Sequence, residues 1–99
     1  MRVIARSTLT QFYEIPNYSD SKEALEAWYH EAKRANWDSW KAIKEKYGNA
    51  SILKNNRVVF NICGNKYRLV VKIHYEAQVV YIRFIDTHKE YDKINAEEV

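Results

Sequence analysis

The chain has 99 residues, of which 46% are hydrophobic and 29% charged, with a formal net charge of +3 and a pI near 9.0. That length suits one domain able to bury a core without covalent staples, and a single cysteine, Cys63, excludes the disulfide scaffold of small secreted proteins. No apolar run approaches the roughly 18 residues of a membrane span and no signal-peptide apolar region opens the chain, so a soluble, cytoplasmic protein with no membrane role is expected.

Met1 to Ala5 is apolar and β-branched, the pattern of a short edge strand. Thr8 and Gln11 have capping-box spacing, and Leu9, Phe12 and Tyr13 follow at helical intervals, so a helix of about two turns is predicted before Pro16 stops it. Asn17-Tyr18-Ser19 then reads as a loop. Asp20 and Glu23 repeat the spacing of an N-cap and its partner. Leu25, Trp28, Tyr29 and Ala32 form an i, i+3, i+4, i+7 stripe, which predicts an amphipathic helix to about Arg34. A third helix opens at Asn36 or Trp37, carries Trp40, Ile43 and Tyr47 on one side, and is closed by left-handed residues at Gly48-Asn49. Ala50 to Asn56 reads as a brief strand and a polar turn.

From Arg57 the period changes to two, because successive strand side chains point to opposite faces. In Arg57 to Cys63, residues Val58, Phe60 and Ile62 share one face. Gly64-Asn65 reads as a hairpin turn with glycine first. In Lys66 to Tyr75, residues Tyr67, Leu69, Val71, Ile73 and Tyr75 share a face, and after a turn at Glu76-Ala77-Gln78 so do Val80, Ile82 and Phe84. The other face then collects Arg57, Asn61, Lys66, Arg68, Lys72, His74, Tyr81 and Arg83, with no carboxylate among them. A one-signed face of this kind is more informative than the net charge. The fold class expected is α+β: a small domain with an antiparallel sheet of about four strands and N-terminal helices packed on one face.

Directly after the last strand comes Thr87-His88-Lys89-Glu90-Tyr91-Asp92. His88 and Tyr91 are three residues apart, so a helical turn puts them on one side. An imidazole and a phenol near Arg68 and Arg83 make an acid/base and charge-stabilising set for RNA cleavage. There the 2′-hydroxyl attacks the neighbouring phosphorus, cations hold the transition-state charge and an acid protonates the leaving 5′ oxygen. RNA carries its own nucleophile, so this chemistry requires no cofactor. Each residue also has a plainer reading: His88 as a cap, Tyr91 as a packed aromatic, His74 as a groove-lining residue. His30 sits among polar helix residues, and no pair of ligands has zinc spacing, so no metal site is expected.

The segments FNICGNKYRLVVKI and YIRFIDTHKEYDKI resemble the HigB family of bacterial type II toxins, within the RelE-like group, from Phe60 to Ile94. The resemblance implies a ribosome-dependent mRNA endonuclease acting in the A site of the small ribosomal subunit. It also implies a HigA-type antitoxin, a helix-turn-helix protein that neutralises the toxin and alone contacts operator DNA. Carried over by position, Asn61, Asn65, Lys66, Arg68 and Lys72 fall on the family's polar sheet face, and Arg83, His88 and Tyr91 on its active centre. On this reading Arg68 and Arg83 hold the scissile phosphate, His88 or Tyr91 moves the protons, and Arg57, Asn61, Asn65, Lys66, Lys72, His74 and Tyr81 bind RNA. The centre requires Arg83 and His88 to meet on one exposed patch. Three other readings use the same residues: a toxin that inhibits a target such as gyrase by binding, a noncatalytic RNA-binding module with Tyr81 as a stacking surface, and a basic face that docks an acidic partner.

Overall fold

A computed structural model describes residues 1–99 and contains a five-stranded sheet in the order β1-β5-β4-β3-β2. The strands are β1 (Arg2–Ile4), β2 (Ser51–Ile52), β3 (Arg57–Ile62), β4 (Tyr67–His74) and β5 (Val79–Thr87). The helices are α1 (Arg6–Tyr13), α2 (Lys22–Arg34), α3 (Trp40–Lys46) and a single turn, α4 (His88–Tyr91). The α+β class and the edge position of β1 agree with the sequence reading. One pairing differs: β1 runs parallel to β5, while β2 to β5 are antiparallel neighbours.

The core lies between the sheet and α1 to α3. Leu9, Leu25, Ala32 and Ile43 come from the helices, and Val58, Phe60, Tyr67, Leu69, Val71, Ile73 and Val80 from the strands. Phe60 is 1% exposed and touches three aromatic rings, those of Trp28, Trp37 and Tyr47. Full burial of side chains of this size contributes about 1.5–3 kcal/mol each. The stripe predicted for α2 is the buried one at Leu25, Trp28 and Ala32.

Several local expectations are corrected. Thr8 is inside α1, whose N-cap is Ala5, and Asp20 is not the cap of α2, whose N-cap is Ser21. Pro16–Ser21 is a 3-10 segment rather than an open loop. The third helix starts at Trp40, leaving Trp37 buried before it and Trp40 exposed. Left-handed backbone occurs at Asn55, Asn56, Cys63, Gly64 and Gln78, and not at Gly48 or Asn49. At the hairpin, Gly64 has φ +68° and Cys63 φ +54°, so Cys63 and Lys66 drop out of the ladder, which ends at Ile62 opposite Tyr67.

The correction that matters most is in β5. Val71 pairs with Ile82 and Val70 with Phe84, so Arg83 is an extra residue at a bulge. A bulge shifts the alternation by one beyond it. Ile85 therefore turns into the helix-side core, where it is 9% exposed, and Phe84 turns to the outer face. That outer face is not bare. Val59, Val70 and Ala96 form a second small core, with Leu53, Phe84, Tyr91, Ile94 and Val99 packed on it, as α4 and the C-terminal segment cross the sheet.

Candidate nucleic-acid interface

The outer face is divided by the crossing C-terminal segment into two polar ends. At one end Arg68 lies between Asn61 and Asp86 in a single cross-strand row. One Arg68 amino group donates to the carbonyls of Asn65 at 3.0 Å and Tyr67 at 3.3 Å, which fixes the guanidinium beside the hairpin turn. Asn61 is half-buried and donates to the Asn49 carbonyl at 3.4 Å.

Just beyond this row, Thr87 caps α4 by accepting the Glu90 amide at 3.2 Å, and the turn presents both His88 and Tyr91. The His88 Nε2 lies 3.4 Å from an Asp92 carboxylate oxygen, and both side chains are more than half exposed. A carboxylate against one imidazole nitrogen fixes the ring's orientation and leaves the other nitrogen to exchange protons. Tyr91 packs on Phe84 with ring centroids 6.4 Å apart.

At the other end, Lys72, His74, Tyr81 and Arg83 line one open groove with Asn56 and Ile73, of about 370 Å³. Lys72, Arg83, an imidazole and a phenol meet here, and no Asp or Glu side chain lines the groove. Arg83 donates its Nε to the main-chain oxygen of Val99 at 3.2 Å, and its terminal amino groups make no hydrogen bond within the chain.

Arg83 and His88 are both exposed. Five strand residues at about 3.3 Å each put roughly 16 Å between them. Arg83 is also about 10 Å along the strand from the row that holds Arg68 and Asp86. Four sequence-predicted residues line the groove (Lys72, His74, Tyr81, Arg83), while His88 and Tyr91 lie on α4 and Arg68 lies in the strand row that pairs with Asp86.

Three expected members of the basic face are elsewhere. Arg57 is 7% exposed and donates to the Asn55 carbonyl at 2.9 Å and the Val99 carbonyl at 2.5 Å, so it anchors the C-terminal segment rather than facing solvent. Lys66 leaves the outer face because the turn breaks the alternation, and it pairs with Asp20 on the helix side. Asn65 is an exposed turn residue whose carbonyl serves Arg68.

Asp20 also accepts from the buried Tyr67 hydroxyl at 2.6 Å. Its hydrogen bond from Lys66, then that from Tyr67, holds the carboxyl below the usual carboxylate range, and the same carboxylate raises the pKa of Lys66. Burial, with Asp20 second, raises that of Tyr67. The sequence reading missed Asp92 as the partner of His88, although their i, i+4 spacing signals it. It also missed Asn56, whose place beside the groove follows only from the register. No three His, Cys, Asp or Glu side chains come together as a metal-binding group, and no helix is long and apolar enough to cross a membrane.

Residues 21–94 match a protein family described as the HigB toxin, the RelE-like toxic component of a toxin-antitoxin system. The chain is also 41% identical over 59 residues to an mRNA interferase toxin HigB of Escherichia coli, with 60% of the chain and 56% of the relative covered. The mRNA interferase HigB of a second Escherichia coli strain and that of Shigella flexneri match with the same figures. The match therefore spans little more than half the length of these curated relatives.

Proposed function

Because this chain belongs to the HigB family of RelE-like toxins, the toxic components of toxin-antitoxin systems, we propose that it is an endoribonuclease that cuts messenger RNA and so arrests translation. The observation that carries the reading is the His88–Asp92 pair at 3.4 Å on the same turn as Tyr91, just past the row that holds Arg68. The names of the relatives, all mRNA interferases, support the same reaction.

His88, oriented by Asp92, takes the proton of the RNA 2′-hydroxyl as that oxygen attacks the adjacent phosphorus. Arg68, pinned by the Asn65 and Tyr67 carbonyls, holds the negative charge that builds on the phosphoryl oxygens. The Tyr91 hydroxyl supplies a proton to the departing 5′ oxygen. The products are a 2′,3′-cyclic phosphate and a 5′-hydroxyl end. Asn61 flanks Arg68 and contacts the sugar-phosphate backbone, whereas Arg57 and Lys66 are left out of the RNA-contact set because the Arg57 guanidinium is buried against main-chain oxygens and the Lys66 ammonium is paired with Asp20 away from the outer face.

By family, the substrate is message in the ribosomal A site of a cytoplasmic ribosome, and a HigA-type helix-turn-helix antitoxin neutralises the toxin and carries operator binding. The test is cleavage on translating ribosomes with 5′ ends mapped. Folded His88→Ala and Arg68→Ala variants should leave message intact, and cutting at the parental rate by either variant would remove these roles. Growth arrest without new message ends would favour a toxin that acts by binding.

A further inference from the structure

We propose that the groove between Lys72, His74, Tyr81 and Arg83 is a separate nucleotide subsite that holds one residue of the RNA strand at a distance from the cutting centre. The inference rests on the RNA-cleaving reading and adds a binding site to it.

The groove has the chemistry of such a ligand. Its volume of about 370 Å³ is within the range of small-molecule clefts, roughly 300–1,000 Å³. The Lys72 ammonium and the unbonded terminal amino groups of Arg83 are donors for one phosphate, and an arginine fork binds phosphate with two parallel hydrogen bonds. The half-exposed Tyr81 ring is a stacking surface for a base. The Asn56 amide makes no hydrogen bond within the chain and can read a base edge. Its backbone is held by its carbonyl accepting the Ile73 amide at 2.9 Å.

The electrostatic contrast between the two ends argues the same way. Arg68 faces Asp86 across the ladder and His88 faces Asp92, so a carboxylate stands beside each. No acidic side chain lines the groove. An RNA strand gains more attraction per phosphate at the groove, while the α4 end is arranged for proton transfer. Since about 16 Å of strand separates Arg83 from His88, the groove holds a nucleotide beyond the one being cut. Short RNAs cannot occupy both ends.

Binding can be read without ribosomes and without cutting by titrating the full chain with fluorescent 2′-O-methyl RNA. A hexanucleotide should bind, and Lys72→Gln and Tyr81→Leu should each weaken it, the stacking loss being roughly tenfold. Lys72→Gln should also flatten the slope of log affinity against log salt by about 0.7. A dinucleotide, which carries the one phosphate and base the groove takes, should bind more weakly than the hexanucleotide and lose affinity with both changes. Lys41→Gln, on the exposed side of α3, controls for lost charge alone. Lys72 is exposed, so its variant reads the site even if Tyr81→Leu lowers stability. The proposal is overturned if the hexanucleotide does not bind, if both groove variants bind it as the parent does, or if adenosine monophosphate fills the groove without competing with the hexanucleotide. Intact hexanucleotide binding by a wild-type chain that cuts no message would instead sink the nuclease reading and leave the subsite standing.

Discussion

The hydroxyl of Tyr67, a fully buried residue at the start of β4, donates to Asp20 at 2.6 Å and so ties the sheet to the 3-10 segment 47 residues earlier. Lys66 closes on the other oxygen of the same carboxylate. The hairpin turn that supplies the Asn65 carbonyl to Arg68 is thereby held from the helix side.

Asp20 should couple stability to acid. Its carboxyl titrates below its ordinary value of 3.8 in the folded chain, so its contribution is present above about pH 4 and is lost as pH falls through the lower folded value. Denaturant midpoints across pH 2 to 6 should fall more steeply for the parent than for Asp20→Asn. Parallel curves would show that the carboxylate has no such linkage.

Tyr67→Phe removes a buried hydroxyl whose acceptor can still reach water. We expect a loss of about 1 kcal/mol by chemical denaturation, together with slower message cutting as the turn beneath Arg68 loosens. Unchanged cutting at full stability would separate the turn from the active arginine.

Arg57→Gln distinguishes structure from recognition. The guanidinium joins β3 to the Asn55 and Val99 carbonyls, so its loss should lower stability by about 1–3 kcal/mol while leaving the salt slope of RNA binding unchanged. A flatter slope would return Arg57 to the RNA face.

The second core should also be measurable. Val70→Ala deletes two methyl groups from a site with no exposure, which should cost roughly 2 kcal/mol. Protection from hydrogen exchange should fall in residues 94–99 before it falls in α2, because the C-terminal segment rests on this cluster.

Cutting should respond to the two ends in different ways. His88→Ala should slow the chemical step by about 100-fold or more, and Asp92→Asn should slow it less, through lost orientation of the ring. Arg83→Ala should act mainly on KM, as expected of a residue that binds strand rather than the scissile phosphate. A loss in kcat alone for Arg83→Ala would move the reacting phosphate to the groove.

The local code of this chain was enough to give its strands, its first two helices and one of its two chemical clusters. Period-two alternation named the strands, the stripe through Leu25, Trp28 and Ala32 named the buried side of α2, and the spacing of His88 and Tyr91 anticipated the turn that carries them. Tertiary structure decided which polar residues are free to act. A run such as Ile82-Arg83-Phe84-Ile85 fits two registers equally well, and only pairing with Val70 and Val71 places the bulge at Arg83 and sends Phe84 outward. Lys66 and Arg57 read as free cations of the outer face because alternation is local. Their partners, Asp20 and the carbonyls of Asn55 and Val99, were set by how the 3-10 segment and the C-terminal segment pack on the sheet. A side chain's period fixes the face it starts from, while its availability depends on groups brought from distant parts of the chain.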